Sequence, residues 1–111
     1  MKVSELLQAL ELEVHCAGNG EADVFCGVVG DLLSFVMGHA PEGATWVTIQ
    51  NHVNVAAVAV LREIPLILLS DGRKPAPELV ERCRSETLAL ASSPLSAFEL
   101  CGKLYGLGLK G

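Results

Sequence analysis

Apolar positions run almost unbroken through residues 44–72, ATWVTIQNHVNVAAVAVLREIPLILLSDG, and residue type divides the run into three. Residues 45–49 hold Trp, Val, Thr and Ile, which suit a pleated, half-buried surface. Residues 66–69 are a continuous aliphatic stretch between Pro65 and Asp71-Gly72, the signature of a strand covered on both faces. Between them, residues 54–63 place Val55, Val58 and Leu61 at helical spacing, while Ala56, Ala57, Ala59 and Val60 fill the other side. The reading is strand, helix, strand, with a right-handed crossover. A helix apolar nearly all round must be buried on more than one side. Val55, Val58 and Ala59 are therefore expected to face a neighbouring element or a second subunit.

The same alternation extends in both directions. Upstream, residues 4–10 read as a short helix with Ser4 as N-cap, and residues 13–17 as a short strand before the Gly18-Asn19-Gly20 turn. Residues 24–29 form another strand, and Asp31 caps a helix through about residue 38. Downstream, Pro77 opens a helix with Leu79, Val80 and Cys83 on its apolar face, and residues 88–91 form a second buried strand. The last helix starts at Ser96, with Glu99 completing a capping box and Leu95 and Leu100 a hydrophobic staple. Ala97, Leu100, Cys101, Leu104 and Tyr105 are its expected inward face, and the glycine-rich tail after it is expected to fray. From residue 24 the order is β-α-β-α-β-α-β-α. This predicts a single α/β domain with a mostly parallel sheet flanked by helices.

Composition narrows the function classes. The chain has 111 residues, half of them hydrophobic, and a net charge of −5. Its mean hydropathy is +0.43. No apolar run reaches the roughly 18 residues of a membrane span, and no signal peptide is visible at the N-terminus, so a cytoplasmic chain is expected. The excess apolar surface then points to self-association. The basic residues are scattered, with Arg73-Lys74 and Arg82/Arg84 the tight groupings, which is poor footing for nucleic acid. The four cysteines are far apart and lack a C-x-x-C, so reduced thiols are expected.

A set of short stretches resembles the DRTGG domain family in order and spacing. They are GVVGDLLS from Gly27, WVTIQNH from Trp46, NVAAVA from Asn54, DGRKP from Asp71 and SSPLSAF from Ser92. The family's own Asp-Arg…Thr-Gly-Gly string is not intact: EADVFCG from Glu21 stands in its place, with Gly27 the convincing match. The resemblance implies a fold like the N-terminal domain of HPr kinase/phosphorylase, which is not its catalytic part. It also implies an accessory role like that of DRTGG domains beside CBS domains, a bacterial cytoplasm and a homodimer. Short stand-alone members resembling this chain are encoded near iron-only hydrogenases, which implies a redox or metabolic enzyme as protein partner. The resemblance supplies no catalytic residue.

In open α/β sheets, ligands bind beyond the carboxyl ends of the strands. The candidate ligand-binding residues there are Asp31, Gln50, Asn51, His52, Asn54, Asp71, Ser92 and Ser93. The same residue types are what helix caps and turns require in any α/β protein. His15-Cys16, Cys26 and His39 lack the paired short spacing of zinc or iron–sulfur ligands, so no metal and no cofactor is expected. Gly27-x-x-Gly30 lacks the remainder of a dinucleotide or Walker motif, and no G-x-S-x-G is present. The expected function is a non-catalytic regulatory or scaffolding domain acting as a homodimer. The alternative is a sensor for an adenine nucleotide or another phosphate-bearing metabolite.

Overall fold

The structure is a computed structural model that describes residues 1–111. Five helices and five strands follow one another as α1 (Val3–Ala9), β1 (Glu13–Cys16), β2 (Cys26–Val29), α2 (Leu33–His39), β3 (Ala44–Thr48), α3 (Asn54–Leu61), β4 (Leu66–Leu69), α4 (Pro77–Ser85), β5 (Ala89–Ser92) and α5 (Ala97–Gly106). The strands form one sheet in the order β1-β5-β4-β3-β2. β2, β3, β4 and β5 run parallel, and β1 adds antiparallel to β5 at the far edge.

Register explains why the central strands carry no polar alternation. Trp46 pairs with Ile67 and Ile67 with Leu90, and all three face the layer of α2, α3 and α4. Val47, Leu68 and Ala91 form the next row and face α1 and α5. Both sides of the sheet are dry, so successive residues on β3, β4 and β5 are all buried.

The three-helix layer shows that the neighbouring elements cover α3. α3 touches both α2 and α4, and its Val55, Val58 and Ala59 lie buried within their own chain. Its all-round apolar character is used by the sheet below and the helices beside it, so these three side chains are not available to a second subunit. Leu61, 69% exposed, is the apolar α3 residue that faces outward most.

Two helix starts also differ from expectation. α1 begins one residue before Ser4, and its first turn is closed by the Glu5 carboxylate, which accepts the Lys2 amide at 2.7 Å. Asp31 does not cap α2, which starts after Leu32, while α3 starts at Asn54 as expected. Pro77 does open α4, and Ser96 accepts the Glu99 amide at 3.3 Å as the cap of α5. Tyr105 is more than half exposed rather than inward. The tail is anchored rather than frayed: Leu109 is buried in the α1/α5 cluster, and the Lys110 carbonyl accepts the Gly27 amide at 2.8 Å. The N-terminus is tied nearby, with the Met1 amino group 3.0 Å from the Val24 carbonyl.

Candidate functional site

The carboxyl ends of the four parallel strands carry a laced rim of polar groups. After β2 the chain crosses toward β3, and the Gly30 amide bonds the Val47 carbonyl at 3.1 Å. This delivers the Asp31 carboxylate over the end of β3. One of its oxygens, Oδ1, accepts from the Thr48 hydroxyl and from the Ile49 amide, both at 2.9 Å. Gln50 turns back, donating its side-chain amide to the Asp31 carbonyl at 2.9 Å and its backbone amide to Thr48 Oγ1 at 3.1 Å. Asp31 is thus a clasp between two strand ends. Replacing it with alanine removes a charge-assisted acceptor from two donors and is expected to lower unfolding stability by roughly 1–3 kcal/mol, whereas asparagine keeps an acceptor oxygen and loses less. Urea unfolding of Asp31→Ala and Asp31→Asn checks this; equal and negligible losses would rule the clasp out.

The loop between β4 and α4 is the hub of the rim. Its backbone is held by β5 and the segment after it: the Asp71 amide bonds the Leu95 carbonyl at 2.7 Å and the Gly72 amide the Ser93 carbonyl at 2.8 Å. Asp71 and Gly72 both adopt left-handed backbone, with φ of 58° and 66°. Aspartate tolerates this better than most residues, and the Ser70 hydroxyl donates to Asp71 Oδ2 at 2.8 Å. From the β3 side, Asn51 donates its side-chain amide to the Lys74 carbonyl at 2.8 Å and accepts the Ala76 amide on its own carbonyl at 3.0 Å. Arg73 reaches back through Nε to the Ile49 carbonyl at 3.1 Å.

β1 closes the far side. His15 Nε2 lies 2.9 Å from the Ser92 hydroxyl, which donates to the Arg73 carbonyl at 2.7 Å. A serine bonded to a histidine is the contact of an activated nucleophile, but here the protons run the wrong way. The one hydroxyl proton of Ser92 goes to Arg73, so His15 must be the donor to Ser92 Oγ. Ser92 is also buried. The pair is a structural chain, not a base and its nucleophile. Two residues before His15, Glu13 meets Lys74 Nζ at 2.6 Å. The Lys74 hydrogen bond and charge hold the Glu13 carboxyl below its ordinary range. What this exposed pair contributes is therefore present above the usual carboxylate pKa and is lost as pH falls through the lowered one.

Of the residues expected here, Asp31, Gln50, Asn51, Asp71, Ser92 and Ser93 are drawn into this network. His52 and Asn54 are exposed, and their side chains bond nothing in the protein. Thr48, Glu13, His15, Arg73 and Lys74 join the rim without having been expected there. Lys74 had a signal in the sequence as part of a basic pair in an acidic chain; Thr48 had none, since threonine in a strand is ordinary.

The rim leaves a notch of about 140 Å³ lined by Glu13, Gly72, Lys74, Ser92, Ser93 and Pro94. A second, apolar cleft of about 140 Å³ opens between β2 and α5, with Val29, Val47, Leu104 and Tyr105 in its walls. The cysteines lie elsewhere. Burial raises the thiol pKa of all four and pushes Cys83 up to about 12, so little thiolate is present at neutral pH. Cys16 donates its thiol to the Val80 carbonyl, and His39 bonds the Phe35 carbonyl while its ring stacks on that phenylalanine. No three His, Cys, Asp or Glu side chains gather closely enough to share an ion, and no helix is long and apolar enough to cross a membrane.

No protein-family model matches the sequence, and no curated protein matches it. The fold does have a counterpart. The CBS and DRTGG domains of the regulatory region of Clostridium perfringens pyrophosphatase, solved in complex with the activator diadenosine tetraphosphate, superpose with a TM-score of 0.69 at 18% identity. The fold is DRTGG-like. The match covers 91% of this chain and 44% of the clostridial one, so the chain spans less than half of its structural neighbour. At this identity the likeness concerns architecture: a mixed α/β domain whose five-stranded sheet is flanked by five helices.

Proposed function

We propose that this DRTGG-like chain is a non-catalytic regulatory domain that works as a homodimer. The observation that carries the reading is the contrast between its polar rim and its apolar edge. At the rim, where an α/β enzyme would present reactive groups, most of the polar side chains are engaged in hydrogen bonds within the protein. At the outer edge of the sheet, apolar side chains stand in solvent: Phe25 is 71% exposed and Leu32 67%, with Val29 and Phe35 about half exposed. β2 is an edge strand, and although the C-terminal tail takes its Gly27 amide, the exposed apolar side chains beside it form a surface that self-association covers. The architecture shared with a pyrophosphatase's regulatory region supports a regulatory role. The redox or metabolic enzyme implied by the sequence resemblance is the protein partner such a dimer would dock on.

Analytical ultracentrifugation at high micromolar concentration is expected to find a dimer, and the double variant Phe25→Asp/Leu32→Asp a folded monomer. A parent chain that stays monomeric at that concentration overturns the dimer.

A second reading is favoured by the neighbour's bound activator and by the notch: the domain senses a phosphate-bearing metabolite, an adenine nucleotide among them. Thermal stabilisation by ATP in a ligand screen supports this reading, and its absence across adenine nucleotides removes it.

A further inference from the structure

We propose that the notch between Gly72, Lys74, Ser92 and Ser93 is an anion subsite for a phosphate-bearing ligand, and that Glu13 occupies Lys74 in its place as a displaceable internal competitor. The proposal rests on the sensor reading and adds the place and the chemistry of recognition.

Three observations converge on this notch. The first is an unused donor. Ser93 is 2% exposed, and its hydroxyl accepts the Leu95 amide at 3.1 Å, but its own proton is given to no group of the protein. Ser92, beside it, has no proton to spare, since it goes to the Arg73 carbonyl. A buried hydroxyl with an unspent proton in a cavity calls for an acceptor. The second is a cation. Lys74 belongs to a basic pair in a chain of net charge −5, and its loop is fixed on both sides by Ser92 and Asn51, so the base of its side chain is positioned rather than free. The third is access. A side chain added at Gly72 would meet nothing within 4 Å, so the backbone beside Lys74 is open to close approach.

The carboxylate of Glu13 then takes on a role. It lines the same notch and bonds Lys74 at 2.6 and 3.1 Å, the position an anionic oxygen would take. The two side chains are 53% and 72% exposed, and exposed pairs of this kind are weak. A single carboxylate is readily displaced by a ligand carrying several negative charges. Displacement frees Glu13 on β1, an edge strand whose other side-chain tie to the rim is the His15–Ser92 contact. Occupancy of the notch is thereby communicated to the edge of the sheet.

The test is a titration of the isotope-labelled full chain with inorganic pyrophosphate at constant ionic strength, followed by backbone amide NMR. Shifts are expected at Gly72, Lys74 and Ser93. Lys74→Ala is expected to abolish them, and Glu13→Gln, which removes the competitor, to tighten binding roughly twofold to fivefold. Unchanged or weaker binding by Glu13→Gln overturns the competitor, and shifts that leave Gly72 and Ser93 untouched overturn the subsite. ATP run in parallel separates the subsite from the sensor function. ATP shifts confined to other residues, such as Asn51 and His52, remove the notch and leave the sensor reading standing. Silence to both probes removes both.

Discussion

Replacing Trp46 with alanine is expected to cost about 3–5 kcal/mol, in the range of large aromatic deletions from cores. Domains of this size are stable by roughly 5–15 kcal/mol, so one substitution would consume a large part of the margin. Trp46 is completely buried in the centre of β3, between β2 and β4, and belongs to the core cluster shared with α2, α3 and α4. Its indole N–H also donates to the Gly30 carbonyl at 2.9 Å, fixing the turn that carries Asp31 over the strand ends. Two losses therefore coincide: a cavity under the helical layer and an orphaned carbonyl at the start of the rim. Trp46→Phe separates them, since it keeps most of the volume and loses the hydrogen bond; it should cost about 1–3 kcal/mol. Chemical denaturation followed by circular dichroism measures both, because the variants lack the chain's one tryptophan. A loss below about 1 kcal/mol for Trp46→Ala would contradict this placement of the side chain.

Gly18→Ala is expected to be comparably severe, for a different reason. Gly18 has φ of +60°, and a Cβ there would lie 2.3 Å from the Ala89 nitrogen and 2.7 Å from its Cα. Ala89 cannot yield, because it sits in β5 between β1 and β4 and is paired with Leu66. Left-handed backbone costs about 1–2 kcal/mol for a residue with a side chain, and the collision adds about 1–3 kcal/mol or more. Gly72→Ala is the internal control: φ is +66° but the space is open, so it should show the backbone cost alone. Equal stabilities for the two variants in urea would mean that the close approach of Gly18 to β5 is not real.

These two residues mark what the sequence can and cannot disclose. The core strands were legible because both their faces are dry, which writes LILL as an unbroken apolar run and leaves ATWVT with no charged or strongly polar position. Pro77 and Ser96 announced their helices because a ring without an N–H and a hydroxyl three residues before an acceptor-poor amide are local devices. Long-range placement was less legible. Nothing in EVHC says that it will pair antiparallel with β5 and bring Glu13 and His15 to the rim. α3 is apolar all round whether its flanks meet α2 and α4 or a second subunit, so periodicity could not decide between them. Asp31 before a helix reads as a cap by residue type, yet two donors at the end of β3 claim its carboxylate instead. The strand-end rule pointed to the polar rim, where six of the eight residues it named are hydrogen-bonded within the protein.

The anchoring of both chain ends gives the domain a property beyond stability. Met1 is fastened at Val24 and Lys110 at Gly27, so the two ends come together beside a single strand. The fold of residues 1–111 is thus entered and left at neighbouring points. Such a fold can be reopened at an exposed turn and its ends joined, or spliced into a loop of another protein, with little rearrangement of its core. The host chain would enter and leave through one doorway, next to β2, so any event that reshapes that strand would be felt first at the junction.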